Sequence, residues 1–304
     1  MQKTRICESV KGVFSIMNPT ITGHTKLTGL LGSPVSHSIS PLMHNESFRL
    51  LGLDYVYLCF DVPEKDLKTA VEGLKILGVR GFNCTMPDKT RMCELADHLS
   101  PAAKMIGAVN TVVNDDGILT GHNTDGVGYI QALKEAGVDI QGKTITLLGA
   151  GGASSAIAVQ AALDGAAKIN IFNRRSRSWA HGQQLADSIC AGTSCQAALY
   201  DLEDLTELKK SLDESSILTN GTSVGMAPNA DACPIPDASL LHEGLVVSDI
   251  IYNPRTTKLM ELGSAAGCQV LNGLYLLLFQ GAEAFRIWTG QDMPIAPIKE
   301  KFFQ

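Results

Sequence analysis

One short stretch near the middle of the chain constrains the fold most strongly. The apolar, β-branched run 144–148 gives way at once to small residues, and small apolar residues continue to Leu163. The small residues at the junction are Gly149, Ala150, Gly151, Gly152 and Ala153. This order predicts a strand, a tight turn and a helix, with room for a pyrophosphate at the helix amides. An ordinary strand-to-helix turn is the alternative, because Ser154 replaces the third glycine of the usual dinucleotide fingerprint.

The end of the next predicted strand, 168–172, indicates which dinucleotide would bind. An NAD site would place an acidic residue there to hold the ribose hydroxyls. This chain instead has Asn173, Arg174, Arg175, Ser176 and Arg177. Because guanidinium groups match a phosphate bidentately, the three arginines favour the 2′-phosphate of NADP. A solvated basic turn is the alternative interpretation.

The composition excludes several classes of protein. The chain has 304 residues, enough for two domains, with 45% apolar residues and a net charge of −6. The absence of a basic tract argues against nucleic-acid binding, and no apolar run reaches the ~18 residues of a membrane span. The eight cysteines are scattered without a C-x-x-C pair or a zinc-type cluster. We therefore expect a cytoplasmic protein with reduced thiols and no metal.

The elements expected along the chain alternate between strand and helix. Residues 1–24 show no strong period. Strands are expected at 26–32, 55–60, 78–83 and 107–114, and helices at 41–51, 64–77, 89–98 and 126–136. Later strands are expected at 216–220, 245–252 and 269–273, and an apolar helix at 274–288. This alternation predicts an α/β fold.

Four polar residues before the glycine stretch are candidates for chemistry. Ser38 and Ser40 precede a helix, so their hydroxyls and the free helix amides could hold a carboxylate or phosphate. Helix capping is the alternative for either serine. Lys89 and Asp125 each follow a strand end, and an ion pair between them across a cleft could hold or donate a proton. Surface charges are the alternative for these two.

With these residues in view, the chain resembles the shikimate dehydrogenase family from about residue 25 to 288. Six ordered motifs carry the likeness: Gly32-Ser33-Pro34-Val35-Ser36-His37-Ser38-Ile39-Ser40-Pro41, Asn83-Cys84-Thr85-Met86-Pro87-Asp88-Lys89, Gly107-Ala108-Val109-Asn110-Thr111, Asn123-Thr124-Asp125-Gly126, Gly149-Ala150-Gly151-Gly152-Ala153 and Gln280-Gly281-Ala282. Segments 172–175 and 218–222 are most similar to the quinate/shikimate dehydrogenase branch.

The resemblance implies two α/β domains around a cleft. Residues 1–125 would form the substrate-binding domain, with 1–24 as an extra segment, and 126–272 the Rossmann domain. Residues 273–304 would be a helical segment that packs back on the first domain. The implied activity is reversible NADP-dependent reduction of 3-dehydroshikimate to shikimate in chorismate and aromatic amino acid biosynthesis, with quinate oxidation as an added activity and a homodimer as the expected assembly. The alternatives are an NAD-preferring quinate dehydrogenase, a dehydrogenase for another cyclic hydroxy acid, and a non-catalytic sensor.

The resemblance also implies a role for each site residue. Lys89 would be the general acid and base at the ring hydroxyl, and Asp125 would hydrogen-bond both Lys89 and that hydroxyl. The implied substrate contacts are Ser38 and Ser40 with the carboxylate, Asn83, Thr85, Asn110 and Gln280 with ring hydroxyls, and Tyr252 as a wall of the site. The implied contacts at the nicotinamide end are Ile250 and Gly273, with Ser223 also near the cofactor.

Three positions depart from the family pattern, and the first is Cys84, which replaces the usual apolar residue between Asn83 and Thr85. Asp88 stands where an aromatic or other polar residue usually precedes the lysine, so it either perturbs Lys89 or faces solvent. Ser176 stands where the dual-cofactor branch has an aspartate suited to the NAD ribose, which favours NADP, with NAD as the alternative.

Overall fold

The computed structural model describes residues 20–176 and 178–304, and within them twelve strands form two six-stranded sheets. Most of the expected N-terminal extension, up to residue 19, and the third arginine, Arg177, lie outside the described residues. Helices pack around both sheets, so the α/β fold expected from the sequence is confirmed.

The first sheet is mixed. Its strands are β1 Lys26–Gly32, β2 Tyr55–Asp61, β3 Gly81–Cys84, β4 His98–Leu99, β5 Thr111–Asp115 and β6 Ile118–His122, in the order β2-β1-β3-β5-β6-β4. Strand β1 is parallel to β2 and β3, whereas β5 is antiparallel to β3 and β6. The accompanying helices are α1 Ser40–Leu51, α2 Leu67–Ile76, α3 Met92–Leu95 and α4 Pro101–Ile106. This sheet and its helices are called the first lobe below.

The second sheet is wholly parallel. Its strands are β7 Thr144–Leu148, β8 Lys168–Asn173, β9 Gln196–Asp201, β10 Ile217–Asn220, β11 Val246–Asp249 and β12 Gln269–Leu271, in the order β12-β11-β10-β7-β8-β9. Its helices are α6 Gly152–Leu163, α7 Trp179–Gly192, α8 Leu205–Glu214 and α9 Lys258–Ala265. The strand order reverses between β7 and β10, which is the point where doubly wound sheets bind ligands. This sheet and its helices are the second lobe.

Two connecting elements join the lobes and bring residues to the space between them. Helix α5 Asp125–Glu135 leads into the second lobe, and α10 Leu274–Thr289 with α11 Ile295–Phe302 returns to the first. Helices α5 and α10 cross closely, since a Cβ on Gly128 of α5 would stand 2.5 Å from the backbone nitrogen of Gln280 in α10. The indole of Trp288 donates to the carbonyl of Val112 at 2.9 Å, which anchors α10 on the first sheet. On this basis we propose that the domain boundaries of the described residues lie after residue 125 and after residue 272, so that 126–272 and 273–304 follow the first domain.

Three sequence predictions in the first lobe were wrong in extent, and one of them is the strand expected at 78–83, which begins only at Gly81. The helix expected at 89–98 is a single turn, Met92–Leu95, because His98 and Leu99 pair with Thr120 and Gly121 as a short strand. The strand expected at 107–114 begins only at Thr111. Gly107 ends helix α4 in a left-handed conformation, with φ of 71°, so the chain turns there before it becomes extended.

Candidate active site

A cavity of about 650 Å³ lies between the two lobes. Its lining includes all nine residues expected at the substrate: Ser38, Ser40, Asn83, Thr85, Lys89, Asn110, Asp125, Tyr252 and Gln280. Eight of these come from the first lobe or the connecting helices α5 and α10, and Tyr252 follows β11 of the second lobe. The fold therefore brings together side chains that are separated by as much as 242 positions in the sequence.

An ion pair stands at the wall of this cavity. The Nζ of Lys89 lies 2.6 Å from Oδ2 of Asp125, with side-chain exposures of 29% and 13%. Lys89 follows β3, and Asp125 is the first residue of α5, where the helix N-terminus favours a negative charge. The surface-charge interpretation of these two residues is therefore wrong. A partly buried ammonium beside a carboxylate can hold or release a proton at a ligand in the cavity.

The carboxylate of Asp125 is held from both sides. Its Oδ2 accepts from Lys89, while its Oδ1 accepts from Nδ2 of Asn110 at 2.8 Å. The amide oxygen of Asn110 in turn accepts from the backbone N–H of Thr124 at 2.8 Å. The carbonyl of Lys89 accepts from the N–H of Val109 at 2.8 Å, which ties the lysine loop to the segment before β5. The charged pair is thus oriented by the protein itself.

A second buried network supports Asn83. The hydroxyl of Tyr57 donates to Oδ1 of Asn83 at 2.8 Å, and Nδ2 of Asn83 donates to the hydroxyl of Thr111 at 2.9 Å. Tyr57 is fully buried, and this burial raises the pKa of its hydroxyl. Tyr57 was not among the site residues predicted from the sequence. The sequence did contain a signal for its burial, because Tyr55 and Tyr57 are two positions apart in β2 and their side chains therefore share one face of the sheet.

The two serines lie at the N-terminal end of α1. The N-cap position is Ile39, so neither serine is the N-cap residue, although Oγ of Ser38 accepts from the N–H of Ser40 at 3.2 Å. Both serines line the cavity, where their hydroxyls and the helix amides form a site suited to an anion.

The glycine next to Gln280 has a packing role. Gln280 lines the cavity and its Nε2 donates to the carbonyl of Leu277 at 2.9 Å. A Cβ on Gly281 would stand 2.2 Å from Cε of Met43. Gly281 therefore lets α10 pack on α1.

Asp88 is fully buried directly before Lys89, so the interpretation that it faces solvent is wrong. Neither of its carboxylate oxygens has a hydrogen-bond partner among the described residues. Burial raises the pKa of this carboxyl, and the negative charge of Glu64 raises it further.

The glycine stretch after β7 fits a pyrophosphate. Gly149 has a φ of 97°, a conformation that other residues rarely adopt. Gly151 is the N-cap of α6 without a side-chain cap, so the first helix amides remain available. A Cβ on Gly151 or on Gly152 would meet no heavy atom within 4 Å. Ser154, in place of the third glycine, is buried and donates to the carbonyl of Gly221 at 3.0 Å.

The residues expected around the adenosine are at the end of β8. Nδ2 of Asn173 donates to Oγ of Ser178 at 2.9 Å and to the carbonyl of Arg174 at 3.1 Å. Arg174, Arg175 and Ser176 follow as an exposed turn. Their guanidinium and hydroxyl groups are suited to a phosphate at this edge of the sheet.

Three further residues expected at the cofactor, two of them at its nicotinamide end, lie on the other side of β7. Ile250 and Gly273 line a second cavity of about 430 Å³. A Cβ on Gly273 would stand 1.8 Å from the carbonyl oxygen of Ile250, so only glycine fits there. Ser223 is exposed in the loop after β10, beside the point where the strand order reverses.

Other kinds of site find no support in residues 20–176 and 178–304. None of the helices there is long and apolar enough to cross a lipid bilayer. Nor do three or more His, Cys, Asp or Glu side chains gather there in a way that could hold a metal ion.

Comparison with known proteins identifies relatives along nearly the whole chain. The family model for the shikimate dehydrogenase substrate binding domain matches residues 30–112, and the model for the shikimate 5′-dehydrogenase C-terminal domain matches residues 273–301. A Listeria monocytogenes protein named shikimate dehydrogenase (NADP(+)) is 53% identical over 283 residues, which cover 93% of this chain and 97% of the relative. The quinate/shikimate dehydrogenase of Escherichia coli is 45% identical over 280 residues, 92% and 97% of the two chains.

A solved structure agrees with these sequence matches. The crystal structure of shikimate 5-dehydrogenase from Listeria monocytogenes, in complex with shikimate and NAD, matches with a TM-score of 0.90. It is 53% identical in sequence, and the match covers 92% of this chain and 97% of that one. Since the relatives span both lobes at high identity, the chain belongs to the shikimate dehydrogenase family.

Proposed function

We propose that this protein catalyses the reversible, NADP-dependent reduction of 3-dehydroshikimate to shikimate. The observation that carries the proposal is the Lys89–Asp125 ion pair, 2.6 Å long, in a cavity that Ser38 and Ser40 also line. A proton donor and an anion site in one cavity suit a hydroxy acid whose hydroxyl is oxidised. Relatives that are 53% and 45% identical bear the names of this activity.

The proton transfer is assigned to Lys89. The dinucleotide, when bound, supplies or accepts the hydride. In the reduction, the ammonium of Lys89 donates a proton to the carbonyl oxygen, and in the oxidation its amine takes the proton from the ring hydroxyl. Asp125 holds Lys89 and the same oxygen in place, while the hydrogen bond from Asn110 keeps the carboxylate of Asp125 oriented. A positioned proton donor of this kind contributes about 10²–10⁴-fold to the rate.

The remaining cavity residues bind the substrate. The hydroxyls of Ser38 and Ser40, with the amides at the start of α1, hold the substrate carboxylate. The ring hydroxyls are bound by Asn83, Thr85, Asn110 and Gln280, and Tyr252 closes the site from the second lobe. Apolar side chains line the cavity together with these polar groups, as is usual for small-molecule sites.

The dinucleotide would lie along the carboxyl edge of the second sheet. The amides that follow Gly149, in the segment Ala150, Gly151, Gly152 and Ala153, would hold its pyrophosphate. Its adenosine 2′-phosphate would be held by Asn173, Arg174, Arg175 and Ser176. Ile250 and Gly273 would contact its nicotinamide end, with Ser223 also near the cofactor. NADP is the preferred dinucleotide, and NAD binds more weakly at the same site.

Quinate oxidation is a second activity, favoured by the Escherichia coli relative that is named for both substrates. The alternative of a non-catalytic sensor has no need for the Lys89–Asp125 pair. We further propose that the enzyme is a cytoplasmic homodimer that acts in chorismate and aromatic amino acid biosynthesis.

The test is a two-by-two comparison of initial rates with shikimate and quinate, each with NADP and NAD. We expect the highest kcat/KM for shikimate with NADP. A higher value for quinate with NAD would replace this proposal with the NAD-preferring quinate dehydrogenase. Saturable ligand binding without turnover in any of the four combinations would support the sensor.

A further inference from the structure

A carboxylate stands at the adenosine edge of the second sheet, although not where the fingerprint would place it. Strands β8 and β9 are parallel neighbours, and Asn173 at the end of β8 is in register with Asp201 at the end of β9. The side chain of Asn173 is engaged with Ser178 and Arg174. Asp201 is therefore the acidic group that this edge presents to a dinucleotide.

Asp201 is paired with one of the arginines expected at the 2′-phosphate. Its Oδ2 accepts from Nε of Arg175 at 2.6 Å, and its Oδ1 accepts from the N–H of Glu203 at 3.1 Å. The N–H of Glu203 and the guanidinium of Arg175 lower the pKa of Asp201, so the carboxylate is charged at neutral pH. The guanidinium of Arg175 also lies 4.5 Å from the ring centre of Trp179. Arg175 thus has an anionic and an aromatic partner before any ligand binds.

We propose that Asp201 is a specificity-determining residue that restrains Arg175 and thereby lowers the preference of this site for NADP over NAD. The inference rests on the dinucleotide site under Proposed function and concerns its selectivity. A 2′-phosphate that binds the Nε edge of Arg175 displaces the carboxylate of Asp201, and one that binds the other guanidinium nitrogens stands beside this carboxylate. In both arrangements the two anions repel each other. NAD lacks this phosphate and is insensitive to both effects. Arg174, which has no ion pair among the described residues, remains the principal phosphate ligand.

The effect is moderate because the pair is close to solvent. The side chain of Arg175 is 71% exposed and that of Asp201 is 22% exposed. Exposed pairs contribute little and are screened by salt, so we expect a change in affinity of about three- to tenfold. The change shrinks as ionic strength rises.

The test measures binding of two nucleotide fragments by isothermal titration calorimetry, without any catalytic readout. 2′,5′-ADP carries the 2′-phosphate, whereas 5′-AMP lacks it. Asp201→Asn keeps an oxygen that can accept from the N–H of Glu203 but removes the charge. We expect this variant to bind 2′,5′-ADP about three- to tenfold more tightly than the native protein, with binding of 5′-AMP unchanged.

Asp213→Asn is the matched control for net charge. Asp213 is also an exposed aspartate in an ion pair, with Lys209, but it lies near the C-terminal end of α8. Helix α8 leads from the end of β9 back to the start of β10, so Asp213 is near the opposite edge of the sheet. We expect the affinity of this variant for both fragments to equal that of the native protein.

The route through Arg175 is tested with Arg175→Leu and with the double variant Arg175→Leu/Asp201→Asn. We expect the gain from Asp201→Asn to vanish in the Arg175→Leu background. No gain in Asp201→Asn, an equal gain for 5′-AMP, or a gain that survives without Arg175 would each overturn the inference while leaving the dinucleotide site in place. Failure of the native protein to bind either fragment would instead refute the dinucleotide site, and the inference with it.

Discussion

The substrate side and the dinucleotide side of the site are built in opposite ways. On the substrate side, each oxygen of Asp125 already has a protein partner, and Asn83 is fixed by Tyr57 and Thr111. On the dinucleotide side, a Cβ on Gly151 or Gly152 would meet no heavy atom within 4 Å. Arg174 and Arg175 are exposed, although Arg175 is paired with Asp201. The first side is therefore held by buried hydrogen bonds before a ligand binds, whereas the second offers helix amides and exposed side chains to a ligand. We expect substitutions on the first side to affect turnover and those on the second to affect affinity.

The largest effect is expected for Lys89→Ala. This change removes the proton donor but none of the groups assigned to the substrate carboxylate, so kcat should fall by about 10²–10⁴-fold while KM for shikimate changes little. The measurement is a steady-state assay with shikimate and NADP, combined with calorimetric binding of shikimate. Lys104→Ala, at an exposed position of α4 in the same lobe, should keep native turnover. Near-native kcat in Lys89→Ala would remove Lys89 from the chemistry.

The next effect is expected for Tyr57→Phe. Without the hydroxyl, the buried Oδ1 of Asn83 loses its donor, which costs roughly 1–3 kcal/mol. We expect kcat/KM for shikimate to fall roughly tenfold, since Asn83 is no longer held at the ring hydroxyls. Binding of NADP should be unchanged. Tyr200→Phe, a half-buried tyrosine of the second lobe, is the control, and an equal loss in both variants would indicate a general effect on stability.

A smaller and more selective effect is expected for Arg174→Ala. Loss of one exposed guanidinium should weaken binding of NADP by about fivefold to tenfold and leave binding of NAD nearly unchanged. Fluorescence titration with each dinucleotide measures the two affinities. Equal losses for NADP and NAD would contradict the assignment of Arg174 to the 2′-phosphate. A loss confined to kcat would contradict the division of labour between the two sides.

Patterns of neighbouring residues in the sequence correctly predicted several individual strands and helices. The β-branched run before Gly149 and the small residues after it define β7 and α6 within the bounds expected. The first strand was predicted at its exact bounds, Lys26–Gly32, as a buried segment that Ser33 and Pro34 terminate. The roles of the candidate site residues came from a different source, the resemblance to the family. The presence of the nine substrate-side residues in one cavity agrees with that source, while their individual roles remain predictions.

The features that the sequence did not predict depend on residues far apart in the chain. The pairing of Asp201 with Arg175 arises because β8 and β9 are neighbours, and 26 positions separate the two residues. His98 and Leu99 form a strand only because they pair with β6. The pattern of the residues before them predicted a helix that extends to His98, and it contains no sign of this pairing. Helix α4 is an exception, because a local pattern indicates it. Serine followed by proline is typical of a helix N-terminus, and in the structure Ser100 accepts from the N–H of Ala103 while Pro101 is the first residue of the helix.

The smallest effect is expected for Asp88→Asn. This variant tests whether the substrate side contains a residue that lowers the stability of the fold. Burial raises the pKa of Asp88, so the folded state favours the protonated carboxyl. The stability that this group contributes is full below its ordinary pKa of 3.8 and is lost as the pH rises through its folded-state value. An uncharged asparagine avoids that loss. We therefore expect Asp88→Asn to raise Tm relative to the native protein by a few degrees at pH 8, with little difference at pH 4.

Asp116→Asn provides the matched comparison, because Asp116 is an exposed aspartate in the β5–β6 turn of the same lobe. The φ of 52° at position 116 suits asparagine as well as aspartate. The Tm of the Asp116→Asn variant should therefore equal that of the native protein at every pH. A gain for Asp88→Asn that is the same at pH 4 and pH 8 would mean that packing, rather than the buried charge, separates the two side chains. If the gain in Tm grows with pH, the buried charge of Asp88, next to Lys89, destabilises the folded protein. The substrate side of the site would then retain a residue that lowers stability, in line with the trade-off between stability and activity that is common at active sites.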